Sequence, residues 1–128
     1  MTSIRSTVIA VVDDEVSVRK ALLRLVRAAG RDARMFATAR EFLDTLPYCS
    51  YDCVVLDLHM PGMSGFDVLR DPAFVGVHIP TVIISADDDS DIREECIDAG
   101  VSDFLCKPFG DQELLDAIDT AMRKTFPL

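Results

Sequence analysis

The chain has no hydrophobic run approaching the roughly 18 to 20 residues that a membrane-spanning helix requires. Its opening, MTSIRSTVIAVVDDE, meets acids too soon for a secretory leader, so a cytoplasmic address is expected. Four cysteines (Cys49, Cys53, Cys96 and Cys106) show no CxxC spacing. Two of them, Cys53 and Cys106, lie in apolar, strand-like stretches, so the set reads as small buried hydrophobes in a reducing compartment, not as a disulfide or zinc set. Histidine is scarce. Neither His59 nor His78 has a second histidine or a cysteine at ligand spacing, and both are expected on loops or the surface. Positive charge is also short: 13 Lys and Arg stand against 22 Asp and Glu, for a net charge of −9. That field repels a phosphate backbone, which argues against nucleic-acid binding by this domain. Internal repeats, linkers and low-complexity tracts are missing as well.

What is present is one domain's worth of chain. Its 128 residues, 49% hydrophobic and 27% charged, suit a single globular core spanning residues 1–128. Short aliphatic runs predict strands at 8–12, 33–36, 53–56, 81–85 and 103–106. Amphipathic stretches predict helices between and after them. The first, over 15–29, gathers Val18, Leu22, Leu25, Val26 and Ala29 on one face, turns Arg19, Lys20, Arg24 and Arg27 elsewhere, and ends at Gly30. Thr38-x-x-Glu41 has the form of a capping box for a second helix with Phe42, Leu43 and Leu46 on its inner face. Further helices are expected over 64–70, 90–99 and 111–125, the last stopped by Pro127. Strict alternation of strand and helix implies α/β architecture: a parallel sheet with helices on both faces. Runs such as VIAVV and CVVL fit strands buried on both sides.

In such a sheet, ligands gather at the carboxyl ends of the strands near the switch in strand order. With the doubly wound order 2-1-3-4-5, that edge receives Asp13, Asp14 and Glu15 from strand one and Asp57 from strand three. Ser85 and Ala86 come from strand four, and Lys107, followed by Pro108, from strand five. Each has a plainer reading alone: helix capping for the acids, a turn for Asp57, solvated surface for Lys107. Their arrival at one edge is what points to chemistry. Crowded carboxylates raise one another's pKa unless a cation neutralises them. Hard oxygen ligands suit Mg²⁺, with Mn²⁺ an expected substitute. An ammonium and a hydroxyl beside that ion serve the remaining oxygens of a phosphoryl group. The set therefore predicts a metal-assisted phosphoryl site with an aspartate nucleophile.

Four stretches, VVDDE (11–15), VVLDLHMPGMSG (54–65), VIISA (82–86) and DFLCKPF (103–109), together resemble the receiver domain of two-component response regulators. The resemblance covers essentially the whole chain. It implies a flavodoxin-like (βα)5 fold with Asp57 as phosphoacceptor. Asp14 would be a direct Mg²⁺ ligand, Asp13 would act largely through water, and the His59 backbone carbonyl would supply a further oxygen. Ser85 and Lys107 would bind the phosphoryl oxygens, and the Lys107–Pro108 peptide would be cis. Ala86 would leave the acceptor open to its donor, while His59 and Asp87 would flank the hydrolytic water and tune dephosphorylation. Pro61 and Gly62 would shape the turn after Asp57. Phe104 would be the aromatic switch; the family more often has Tyr there, so a hydroxyl hydrogen bond is lost. A sensor histidine kinase or histidine phosphotransfer protein is the implied donor. The surface made by the fourth and fifth expected helices and the fifth strand is the implied output face, for a homodimer or an output domain. The domain would catalyse its own phosphorylation and dephosphorylation without being a metabolic enzyme. DDEVSVRKALLRLVRAAG and LDLHMPGMSGFDVL look most like receivers attached to helix-turn-helix transcription factors.

Three rivals are weighed against this reading. An aspartate-nucleophile phosphatase of the haloacid dehalogenase type needs a second Asp two residues after the nucleophile, where this chain has His59, and a cap for which there is no room. A flavodoxin-like FMN binder needs a Ser/Thr/Gly-rich phosphate loop after strand one, where DDE would repel the phosphate. A pseudo-receiver that binds partners without phosphorylation is opposed by the intact set of acids, Ser85 and Lys107.

Overall fold

The structure is a computed structural model that describes residues 7–87 and 89–124. Among these residues, five strands, β1 (Val8–Val12), β2 (Asp32–Phe36), β3 (Cys53–Asp57), β4 (Thr81–Ser85) and β5 (Asp103–Cys106), form one parallel sheet in the order β2-β1-β3-β4-β5. Among the described residues, six helices surround it: α1 (Val16–Ala28), α2 (Ala39–Thr45), α3 (Gly65–Arg70), α4 (Pro72–Val75), α5 (Ser90–Asp98) and α6 (Asp111–Lys124). The expected fold and strand order hold.

Alternation along each strand divides the apolar residues between two cores. Ala10, Val12, Val54, Leu56, Ile83 and Phe104 pack with α2, α3, α4 and α5. Ile9, Val11, Cys53, Val55, Val82, Ile84 and Leu105 pack with α1 and α6. Every residue of β3 and β4 is buried, which is why these strands read as unbroken aliphatic runs.

Helix ends follow local chemistry. Gly30 (φ 84°) and Gly100 (φ 93°) take the left-handed conformation after α1 and α5. The N–H groups of Gly30 and Arg31 bond Arg27 and Val26 carbonyls, and those of Gly100 and Val101 bond Ile97 and Cys96 carbonyls, the Schellman pattern in both cases. Ser64 and Asp67 form a reciprocal capping box at α3. At α2 the Glu41 N–H donates to Thr38 Oγ1 at 3.1 Å, but the Glu41 carboxylate meets the Thr38 hydroxyl instead of its backbone, so the expected box is half formed.

Several details differ from expectation. β2 starts at Asp32 and β3 runs through Asp57. Helix α4 was not anticipated. Ala29 and Ala99 are exposed because they are C-caps, beyond the last turn that packs on the sheet. Cys49 and Cys106 are half-buried, in contrast to buried Cys53 and Cys96. Thr125 and Pro127, expected at the end of the last helix, lie outside the described residues. Among the described residues no helix is long and apolar enough to cross a membrane.

Candidate functional site

Strand register explains which side chains meet. Val12 pairs with Leu56, so Asp13 follows beside Asp57. Asp57 pairs with Ile84, which places Ser85 one residue further along. Ser85 pairs with Cys106, and Lys107 comes next. The hydrogen-bond ladder continues past these strand ends. Asp13 N–H donates to Phe36 O (3.1 Å), Leu58 N–H to Ile84 O (3.0 Å) and Lys107 N–H to Ser85 O (2.7 Å). The functional edge is thus part of the sheet, not a loose loop above it. The Lys107–Pro108 peptide is cis.

Asp13, Asp57 and Ser85 are buried, while Asp14 is exposed. Carboxylate oxygens of Asp13, Asp14 and Asp57 lie within 4.8 Å of one another. Lys107 Nζ donates to Asp13 Oδ2 at 3.0 Å and stands 3.7 Å from both Asp57 Oδ1 and Glu15 Oε1. Asp13 Oδ1 accepts the Glu15 N–H (2.9 Å), and Asp57 Oδ1 accepts the His59 N–H (3.3 Å). Burial, then the neighbouring Asp13 carboxylate, push the Asp57 pKa up to about 7 against the partial opposition of Lys107. For Lys107, burial alone would favour the neutral amine. The Asp13 hydrogen bond and the charges of Asp57, Asp13 and Glu15 outweigh it and hold the pKa above the ordinary lysine value.

One ammonium stands against this many carboxylates, so the Asp13 charge adds to the burial that already raises Asp57. The donor set is all oxygen and half-open to solvent through Asp14. It fits a hard divalent cation that keeps several waters.

Around the pocket, Ala86 is exposed, and the Asp87 N–H donates to Ser85 Oγ at 3.0 Å. His59 Nε2 lies 4.0 Å from Asp87 Oδ2, so the two half-exposed side chains flank the mouth from the β3 and β4 loops. Pro61 and Gly62 (φ 80°) carry the turn that follows. Phe104 lies inward, only 3% exposed, with the Arg93 guanidinium 5.0 Å above its ring centroid. His78 stands far down the chain in the loop before β4, with φ 52°.

Two residues at this edge escaped the sequence reading. A Cβ built on Gly65 would stand 2.8 Å from both Asp57 O and Leu58 Cα, so glycine is needed where α3 starts directly against the end of β3. The signal was the second glycine of MPGMSG. Arg19, assigned to the face turned away from the core, instead reaches back so that Nη1 donates to Asp13 O at 2.7 Å.

Comparison with known proteins agrees with this geometry. The sequence profile of the response regulator receiver domain matches residues 9–119. The chain is 40% identical over 119 residues to the response regulator protein TmoT of Ectopseudomonas mendocina, covering 93% of this chain and 54% of that protein. It is 36% identical over 119 residues to the transcriptional regulatory protein FixJ of Bradyrhizobium diazoefficiens, covering 93% and 58%. The crystal structure of FixJ-N superposes with a TM-score of 0.86 at 33% identity, over 98% of this chain and all of that one. The chain therefore spans about half the length of these curated relatives. Fold, acidic edge and sequence lead to one assignment: the chain belongs to the response regulator receiver domain family of two-component systems.

Proposed function

We propose that this domain accepts a phosphoryl group on Asp57 from the phosphohistidine of a sensor histidine kinase or phosphotransfer protein, with Mg²⁺ held at the acidic pocket. The reading is carried by one observation: the Lys107 ammonium sits 3.0 Å from Asp13 and 3.7 Å from Asp57, beside three clustered carboxylates. The Asp13, Asp14 and Asp57 carboxylates and the His59 carbonyl would hold the ion. When bound, it supplies positive charge that screens the carboxylates from one another and from an incoming phosphoryl group.

Asp57 attacks phosphorus in line; the P–N bond breaks and the donor imidazole leaves. The attacking carboxylate must be deprotonated, and its pKa of about 7 makes that depend on cationic charge in the pocket. Lys107 and the Ser85 hydroxyl serve the phosphoryl oxygens. Ala86 adds no bulk at the entrance, and His59 with Asp87 lines the approach of the water that later hydrolyses the acyl phosphate. The added charge of roughly −1.5 to −2 draws Ser85 and Lys107 toward it and biases Phe104 and the surface of α5, β5 and α6 as a two-state population shift. That surface contacts a second copy or an output domain. The test is labelling by acetyl phosphate with and without Mg²⁺. Acid-stable, hydroxylamine-labile phosphate is expected in the parent and lost in Asp57→Asn; undiminished label in that variant, or none in the parent, would defeat the proposal.

A further inference from the structure

We infer that Arg19 is a positioning residue for the acidic pocket: by fixing the Asp13 carbonyl it sets the peptide that carries Asp14, and so the separation of the metal-binding carboxylates. This rests on the Mg²⁺ reading above and deepens it.

Asp13 is held at every polar atom. Its N–H donates to Phe36 O, Oδ1 accepts from Glu15 N–H, Oδ2 accepts from Lys107, and its carbonyl accepts from Arg19. The first three bonds fix Asp13 itself. The fourth acts on the peptide plane between Asp13 and Asp14, and thus on the direction in which the exposed Asp14 leaves the chain. Helix geometry makes the reach natural. Arg19 lies in the first turn of α1, with its N–H bonded to Glu15 O, and helical side chains tilt toward the helix amino terminus. A half-buried arginine therefore points back at the strand end from which its helix departs. Its guanidinium stays charged and planar, which suits a fixed carbonyl contact better than a flexible ammonium.

The two roles that Arg19 can play predict opposite signs. As a mere nearby cation it would repel Mg²⁺, and its removal would tighten binding. As the part that orients a ligand, its removal weakens binding by about tenfold, the lower end of what outer-shell partners of metal ligands usually contribute. Calorimetric titration of the metal-free protein with MgCl₂ separates them, for the parent, Arg19→Ala and Arg19→Lys, with urea unfolding in EDTA alongside. Expected are a raised Mg²⁺ dissociation constant in Arg19→Ala, partial recovery in Arg19→Lys, and an acetyl phosphate labelling deficit that excess Mg²⁺ makes good. Unchanged or tighter Mg²⁺ binding in Arg19→Ala overturns the inference, as does a loss of stability in EDTA with no change in affinity. A parent protein that binds no Mg²⁺ would instead bring down the functional reading beneath it.

Discussion

Asp57 is a buried carboxylate with a second carboxylate for a neighbour, and its pKa of about 7 stands well above the ordinary value of 3.8. The folded state therefore holds the Asp57 proton more tightly than the unfolded chain does. Without metal, the stability this contributes is fully present below pH 3.8 and is lost as pH rises through about 7. An asparagine imitates the protonated form. In urea unfolding with EDTA at pH 8, Asp57→Asn is expected to be more stable than the parent by about 1–3 kcal/mol, a gap that closes toward pH 4. Equal stability at both pH values would refute the proposed burden on this residue. Gly65 carries a different burden, a steric one. Both atoms 2.8 Å from its absent Cβ belong to backbone, which cannot swing aside. Gly65→Ala should cost about 2–3 kcal/mol in urea unfolding. It should also slow acetyl phosphate labelling, because the displaced atoms belong to Asp57 and Leu58.

Among the elements, the strands were the most legible in the sequence. A strand buried on both faces must be continuously apolar, and VIAVV, CVVL and VII are. The carboxylates, Ser85 and Lys107 could be placed at one edge because parallel strands share a direction, so their carboxyl ends coincide once the strand order is known. Helix α4 could not be read, since four residues give no period to detect; Asp71, which accepts the Ala73 N–H, and Pro72 at the first turn set it, and burial of Phe74 anchors it. Arg19 was misplaced because projecting a helix onto a wheel locates Cα atoms, whereas a long side chain reaches over the turn before its own. Caps matter near the site. The Ser64–Asp67 box closes the loop that begins at Asp57, with Asp67 Oδ2 accepting the Ser64 N–H at 2.9 Å. Ser64→Ala is expected to lower stability by about 1 kcal/mol. Greater hydrogen-exchange protection loss in residues 58–67 than elsewhere would locate the effect; a uniform change would contradict it.

At the scale of the whole molecule, the net charge of −9 makes any cation mildly stabilising, so specific binding has to be told apart from screening. A ligand at ten times its dissociation constant raises stability by about 1.4 kcal/mol when it binds only the folded state. That increment is expected for the parent with Mg²⁺ and not for NaCl of matched ionic strength. In thermal unfolding, a Mg²⁺ effect no larger than the salt effect would leave the acidic pocket without a resident ion.

The two cores also give the sheet two addresses. By the alternation that sends Cys53 and Val55 toward α1 and α6, Asp57 leans the same way, while Ser85 continues the line of Ile83 on the side where Phe104 meets Arg93. Two neighbouring strands, one step apart in register, thus aim a carboxylate and a hydroxyl at opposite faces of the same wall.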